Sequence, residues 1–312
     1  MLASRRLTIV GDSLSKQHAI SLFCALFSVV DKRATLAGAK QNRSEHAYYL
    51  RRGGIVSFVF NDRLLDARKE PGEVWAAAPP STVDRVRDGR RDESWASRLR
   101  RGPAGMDDVV IFATGLHWNA AIAPGYPAMV RAVLSELFPA SRPLEPAADA
   151  AAPGLGAPFL GTFVYRSNFV PGCSAERRPS SYAGRHAAVL GREVEPARPR
   201  RPAPPPRPLY NWGHLLPYDA VWATELAAAP REHRRRLHVL NVTELTSLRG
   251  DAHCERCGSR SRPNQTSDSL DCLHFCLTGS GPIDAWSVLL QEEVLRPLLH
   301  DRRRRRRFVA RK

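Results

Sequence analysis

The chain has no apolar run near the roughly 20 residues that a membrane-spanning helix needs. Its longest candidate, Ala19 to Val30, is too short and follows a polar, charged segment. A secretory signal is also wanting, because only four residues separate Met1 to Arg6 from Gly11. The expectation is a soluble protein, or one whose targeting segment and membrane anchor lie outside this chain. Lysine is scarce too: the 47 basic residues include only Lys16, Lys32, Lys40, Lys69 and Lys312. The net charge of +16 is therefore carried by arginine, in a chain also rich in Ala and Pro, a bias that coding composition alone can produce. Much of the arginine sits in linkers and in the run Arg302 to Arg307, not interleaved with aromatics on one element. No nucleic-acid partner is expected on that pattern. An apolar fraction of 43% excludes disorder throughout, and 312 residues suffice for a sizeable core.

Buried strands and amphipathic helices alternate along the chain. Strands are expected at Arg6 to Val10, Ile55 to Phe60, Asp108 to Thr114, Phe159 to Tyr165 and Leu237 to Val242. Helical spacing runs from Ser15 to about Val30, with Ile20, Leu22, Phe23, Leu26, Phe27 and Val30 as its apolar positions. Further helices are predicted at Tyr126 to Phe138, near Tyr218 to Ala228, and from about Ile283 to Leu299. This alternation predicts an α/β three-layer sandwich with a mainly parallel sheet. One catalytic domain over residues 1–300 is the simplest organisation, with flexible Pro/Ala/Arg-rich insertions near 139–158 and 190–208 and a basic tail at 301–312.

Ser13 lies between the first strand and the first helix, in Gly11-Asp12-Ser13-Leu14. A sharp turn there lifts a hydroxyl off the sheet edge, and the free N–H groups of the helix favour developing negative charge. A serine at this place also serves as a plain helix cap, so a nucleophile needs a base and a group that orients the base. Asp271-Cys272-Leu273-His274 puts a carboxylate three residues before an imidazole, where one turn brings both to the same face. Asp251 and His253, two apart, turn to different sides of an extended chain and rank second.

Several segments carry a resemblance. Gly11-Asp12-Ser13-Leu14-Ser15, with Ser21-Leu22 and Cys24, is similar to the opening block of the plant trichome-birefringence-like proteins, in the PC-esterase branch of the GDSL/SGNH hydrolases. Lys16-Gln17-His18 stands where that family has Arg-Asn-Gln. Asp271-Cys272-Leu273-His274-Phe275-Cys276-Leu277 and Asp284-Ala285-Trp286 resemble its closing block, with Phe275 for Trp and Thr278 for Pro. Between them, Val242 to Arg249 with Asp251-Ala252-His253 and Asp108 to Gly115 with His117-Trp118 resemble further segments of the family, and Phe163 to Ser167 with Gly172-Cys173 is a looser match, all five segments standing in the family's order.

The resemblance implies an SGNH-hydrolase-like fold and a triad of Ser13, His274 and Asp271. It implies a double displacement in which Ser13 takes an acyl group, acetyl above all, and passes it to a hydroxyl of a polysaccharide or oligosaccharide. Water as acceptor gives an esterase, and loss of catalysis would leave a carbohydrate-binding module. The oxyanion is expected to meet the backbone N–H of Ser13 with Gly115 and Arg166 nearby. Ala113 replaces the family's Asn before Thr-Gly, which removes one side-chain donor. No cofactor and no metal are implied, and the location implied is the Golgi lumen or secretory pathway. The family's lobe upstream of Gly11 has no counterpart here, and Cys24 is expected to lose its partner with it. Cys254, Cys257, Cys272 and Cys276 have a spacing that suits zinc, but a metal would compete with His274. The resemblance instead implies disulfides, with Cys173 as a further partner. Of three N-glycosylation triplets, at Asn42, Asn241 and Asn264, only Asn264 suits an acceptor, because Asn241 is expected inside a buried strand.

Overall fold

Buried β-branched and aromatic runs separated by amphipathic segments build one sheet covered on both faces. The computed structural model describes residues 5–38, 45–62, 64, 99, 108–118, 122–138, 161–169, 215–247, 273–275 and 281–300. The strands are β1 (Arg6–Gly11), β2 (Glu45–Tyr49), β3 (Ile55–Phe60), β4 (Val109–Ala113), β5 (Thr162–Arg166) and β6 (Leu237–Leu240). Their spatial order is β2-β3-β1-β4-β5-β6. Neighbours run parallel throughout, except that β2 pairs antiparallel with β3 at one edge. β4 and β5 are buried along their whole length, as central parallel strands covered on both faces must be.

The helices are α1 (Ser13–Leu26), α2 (Lys32–Gly38), α3 (Tyr126–Leu137), α4 (Leu215–Ala228), α5 (Arg231–Arg234), α6 (Thr243–Ser247) and α7 (Pro282–Leu289). Side chains alternate across a strand, and β5 shows which helices lie on which face. Trp222 of α4 stacks on Phe163 and Tyr165, with ring centroids 5.7 and 4.6 Å apart. Arg166, next along β5, turns the other way and lies 4.4 Å from the ring of Trp286 on α7. Thus α3 and α4 cover one face, and α1 and α7 pack together on the other. This is the expected three-layer α/β sandwich with a mainly parallel sheet.

Several details differ from expectation. β2 and α2 were not foreseen, since Glu45–Tyr49 carries no strong period-2 pattern. The first helix buries Leu14, Ser15, His18, Ala19, Ser21 and Leu22, whereas Phe27 is exposed. Its core-facing stripe is therefore partly polar, because Ser21 donates to Asp284 Oδ1 (2.5 Å) and His18 meets the edge of Trp286. β6 stops at Leu240, and Asn241 is exposed. Its side chain accepts from the N–H of Thr243 and turns the chain into α6, which corrects its placement inside a strand. The last helix continues past α7 as a π-helical segment, Leu290–Leu295, before a final helical stretch at 296–300. The expected insertions at 139–158 and 190–208 and the tail at 301–312 lie outside the described residues.

The junction between β1 and α1 is the tightest point. Gly11 has φ +156°, and a Cβ there would stand 2.3 Å from Ser15 Oγ and 2.4 Å from the carbonyl oxygen of Ala113. The second contact is with the backbone of the neighbouring strand, so rotamer changes cannot relieve it. Gly11→Ala is expected to cost about 2 kcal/mol or more of stability, read as a lower denaturation midpoint at unchanged m-value.

Candidate active site

Asp12 begins the site by ending the strand. Its carboxylate Oδ1 accepts from the N–H groups of Leu14 (3.0 Å) and Ser15 (3.2 Å), a helix N-cap. Ser13 is thereby the first residue of α1, half-buried, at the helix end that carries partial positive charge. Ligand sites of open α/β sheets lie at the carboxyl ends of the strands, and Ser13 sits just beyond that end of β1.

His274 meets it there. Its Nε2 lies 2.8 Å from Ser13 Oγ, although the residues are 261 apart in sequence. Two devices bring the imidazole in. Leu273 and Phe275 on either side are both buried, so the segment is anchored in the core while His274 faces the serine. Gln17, one turn along α1 from Ser13, also grips the backbone of Phe275. Its Nε2 donates to the Phe275 carbonyl (2.8 Å), and its Oε1 accepts from the Phe275 N–H (3.3 Å). The helix that presents the serine thus also holds the histidine segment. Asp271, the expected orienting acid, lies outside the described residues. So do Asp251, His253, Asn42, Asn264 and every cysteine except Cys24, an exposed free thiol.

Arg166 ends β5 on the same side of the sheet. It is 4% exposed, and its Nη2 stands 3.5 Å from Ser15 Oγ in the first turn of α1. Its Nε and Nη1 have no hydrogen-bond partner among the described residues. Burial pulls its pKa down to about 10, with Asp12 acting in the opposite direction, so it remains a cation at neutral pH. Gly115 follows β4, the other neighbour of β1, with φ +151°. His117 sits in the same exit, its Nδ1 3.5 Å from Asp62 Oδ2 beyond β3. Trp118 is fully buried against Tyr126 and belongs to the core.

His18 and Gln17 were noted in the sequence only as departures from a family pattern, Asp12 only as part of the Gly11-Asp12-Ser13-Leu14 motif and not as a helix cap, and Asn168 and Asp219 drew no notice. A helix-cap rule applied to Asp12, and the i,i+4 relation of Ser13 and Gln17, were the signals available. Nothing local marks Asn168 and Asp219, which meet only in the folded chain.

His18 is fully buried against Trp286 and beside Arg166. Burial first, and the Arg166 charge second, lower its pKa from 6.5 to about 3. The unfolded chain takes up that proton near 6.5, so His18 contributes stability above this pH and loses it as pH falls towards 3. His18→Gln is expected to flatten the acid side of the stability curve by up to about 1.4 kcal/mol per pH unit. Denaturant titrations of both proteins between neutral and acid pH measure the difference in slope.

The geometry is matched by similarity to known proteins. A stretch of 82 residues is 34% identical to Protein trichome birefringence-like 20 of Arabidopsis thaliana. It spans 25% of this chain and 16% of that protein, so the chain covers only a small part of that relative. The family model of PC-Esterase, described as a GDSL/SGNH-like acyl-esterase family found in Pmr5 and Cas1p, matches residues 1–126 and 215–293. Those residues include Ser13, Gly115, Asp271 and His274 and amount to more than half of the chain. The chain belongs to the PC-Esterase family, and its mostly parallel sheet covered by helices is an SGNH-like α/β fold.

Proposed function

We propose that the protein is a serine-dependent O-acyltransferase that carries an acyl group, acetyl in the first instance, on Ser13 and delivers it to a polysaccharide hydroxyl. The observation that carries this reading is the 2.8 Å contact between Ser13 Oγ and His274 Nε2 at the N-terminus of α1. That distance is within reach for direct proton transfer. It weighs against a binding module that has kept the fold and lost the pair.

In the first half-reaction His274 Nε2 takes the Ser13 proton as Oγ attacks the acyl carbonyl carbon. The resulting oxyanion faces the positive end of α1, with the Ser13 N–H, the Gly115 N–H and the Arg166 guanidinium as its donors. Collapse breaks the bond to the leaving alcohol, which takes the proton from His274 and departs. In the second half the acceptor hydroxyl gives its proton to His274 and attacks the acyl carbon. Ser13 Oγ leaves and recovers the proton. Water in place of the sugar completes an esterase cycle by the same steps. Asp271 is assigned the orienting contact to Nδ1 of His274, which selects the tautomer with a free Nε2.

The same reading treats residues 1–300 as one catalytic domain. It needs no cofactor, and a polysaccharide acceptor makes the Golgi lumen or secretory pathway its compartment. Ser13→Ala and His274→Ala are each expected to reduce acetyl release from p-nitrophenyl acetate and acetyl transfer to oligosaccharides by about 10³-fold or more. Intact-mass analysis after brief incubation with the donor is expected to find an acetyl group on the parent chain and none on Ser13→Ala. Undiminished turnover by Ser13→Ala would sink both transferase and esterase.

Because Gln17 acts on His274 only through the Phe275 backbone, Gln17→Ala is expected to slow both half-reactions by roughly 10-fold. Imidazole protonation, followed by NMR at the His274 ring, separates a displaced histidine from general unfolding.

A further inference from the structure

Beneath Gly115 lies a buried polar network that the reaction scheme does not use. The Thr114 carbonyl accepts from Tyr126 Oη (3.1 Å) and from Asn168 Nδ2 (3.2 Å). A carbonyl oxygen has two lone pairs, and both are engaged. Tyr126 Oη itself accepts from Trp222 Nε1 at 3.0 Å, which leaves its own proton for Thr114. Asn168 is held in turn by Asp219, whose Oδ1 accepts from Asn168 Nδ2 (2.8 Å), from Asn168 N (3.0 Å) and from Tyr165 Oη (2.5 Å). Burial raises the pKa of both tyrosines well above the usual value, so both remain O–H donors.

We infer that Tyr126, Asn168 and Asp219 are positioning residues that aim the Gly115 N–H at the oxyanion formed on Ser13. The inference rests on the acyl-serine reading above. Its physical basis is the rigid, trans peptide unit. With the Thr114 carbonyl pinned towards α3 and α4, the N–H of Gly115 in the same plane points the opposite way. That way lies the face where α1 begins and Ser13 stands. Gly115 admits the arrangement because it has no side chain: a Cβ there would stand 2.8 Å from Asn168 Oδ1. Buried polar groups are costly unless every member is satisfied, and this cluster is gathered at one peptide, beside the reacting serine. None of the three side chains touches the substrate in this scheme. Their effect on rate passes through one peptide plane.

The test uses the whole chain with p-nitrophenyl acetate as ester and phenylboronic acid as a probe that forms a tetrahedral adduct with Ser13. Tyr126→Phe removes one hydroxyl and keeps the ring packing, and Asn168→Ala removes the second donor. Each variant is expected to lower the acylation rate, read from the p-nitrophenol burst, by about 10-fold or more. Boronate affinity is expected to fall in step, while the ester concentration that half-saturates the burst stays within about twofold. The double variant is expected to lose more than either single variant. Unchanged burst rate and boronate affinity in Tyr126→Phe, whatever happens to its thermal midpoint, would overturn the inference. So would equal losses in ester binding and in boronate affinity. Full activity of Ser13→Ala overturns the acyl-serine reading and this inference together, whereas an inert Ser13→Ala beside unaffected positioning variants overturns this inference alone.

Discussion

The molecule turns on the crowded crossing at Gly11, where the end of β1, the Ala113 carbonyl of β4 and the first turn of α1 come within reach of one missing side chain. Everything that follows in the site takes its direction from that approach. With no Cβ at Gly11, Ser15 Oγ settles over the strand end, and Asp12 caps α1 at once, with no intervening loop. The serine is then fixed at the helix entrance by backbone geometry, not by its own contacts. A larger residue at Gly11 would push α1 outwards, and with it Gln17 and the grip on the His274 segment. One steric constraint therefore sets Ser13, the helix entrance and the His274 segment together.

Much of this was legible in the sequence because parallel sheets are written in local patterns. Central strands buried on both faces must be continuous apolar runs, and Arg6–Gly11, Ile55–Phe60 and Val109–Ala113 fall close to where that rule put them. The edge was harder to read. β2 pairs on one side only, so Glu45–Tyr49 needs no continuous apolar run. α1 misled for a different reason. Apolar periodicity pointed to Phe27 and its neighbours, but the face that packs against α7 carries Ser15, His18 and Ser21. A helix that enters an active site must present polar groups inward, so the usual link between burial and apolarity is weakest at the site itself.

The candidate pair of Ser13 and His274 was readable because each residue sits in a short motif with its own signature. The supporting residues were not, because their relation is purely spatial. Gln17 touches a segment 258 residues away, and Asn168 meets Asp219 51 residues on. No local pattern records such partnerships. The substitutions that looked like erosion of a family motif take on structural roles in the fold: Gln17 grips the Phe275 backbone, and His18 fills the space beside Trp286.

Arg166 and His18 show how charge is apportioned around the serine. Two buried basic groups lie near one another behind α1, and only one retains its proton at neutral pH. A second cation there would repel Arg166, whose own charge is already favoured by Asp12 and Asp219. Keeping His18 neutral leaves the Arg166 guanidinium as the cation stacked on Trp286 and next to the first turn of α1. Its Nε and Nη1 find no partner among the described residues. Buried donors without a partner cost stability, and the proposed mechanism would offset that cost by bringing negative charge beside them. On the acyl-serine mechanism proposed above, these donors would be matched at the moment an ester carbonyl becomes an oxyanion.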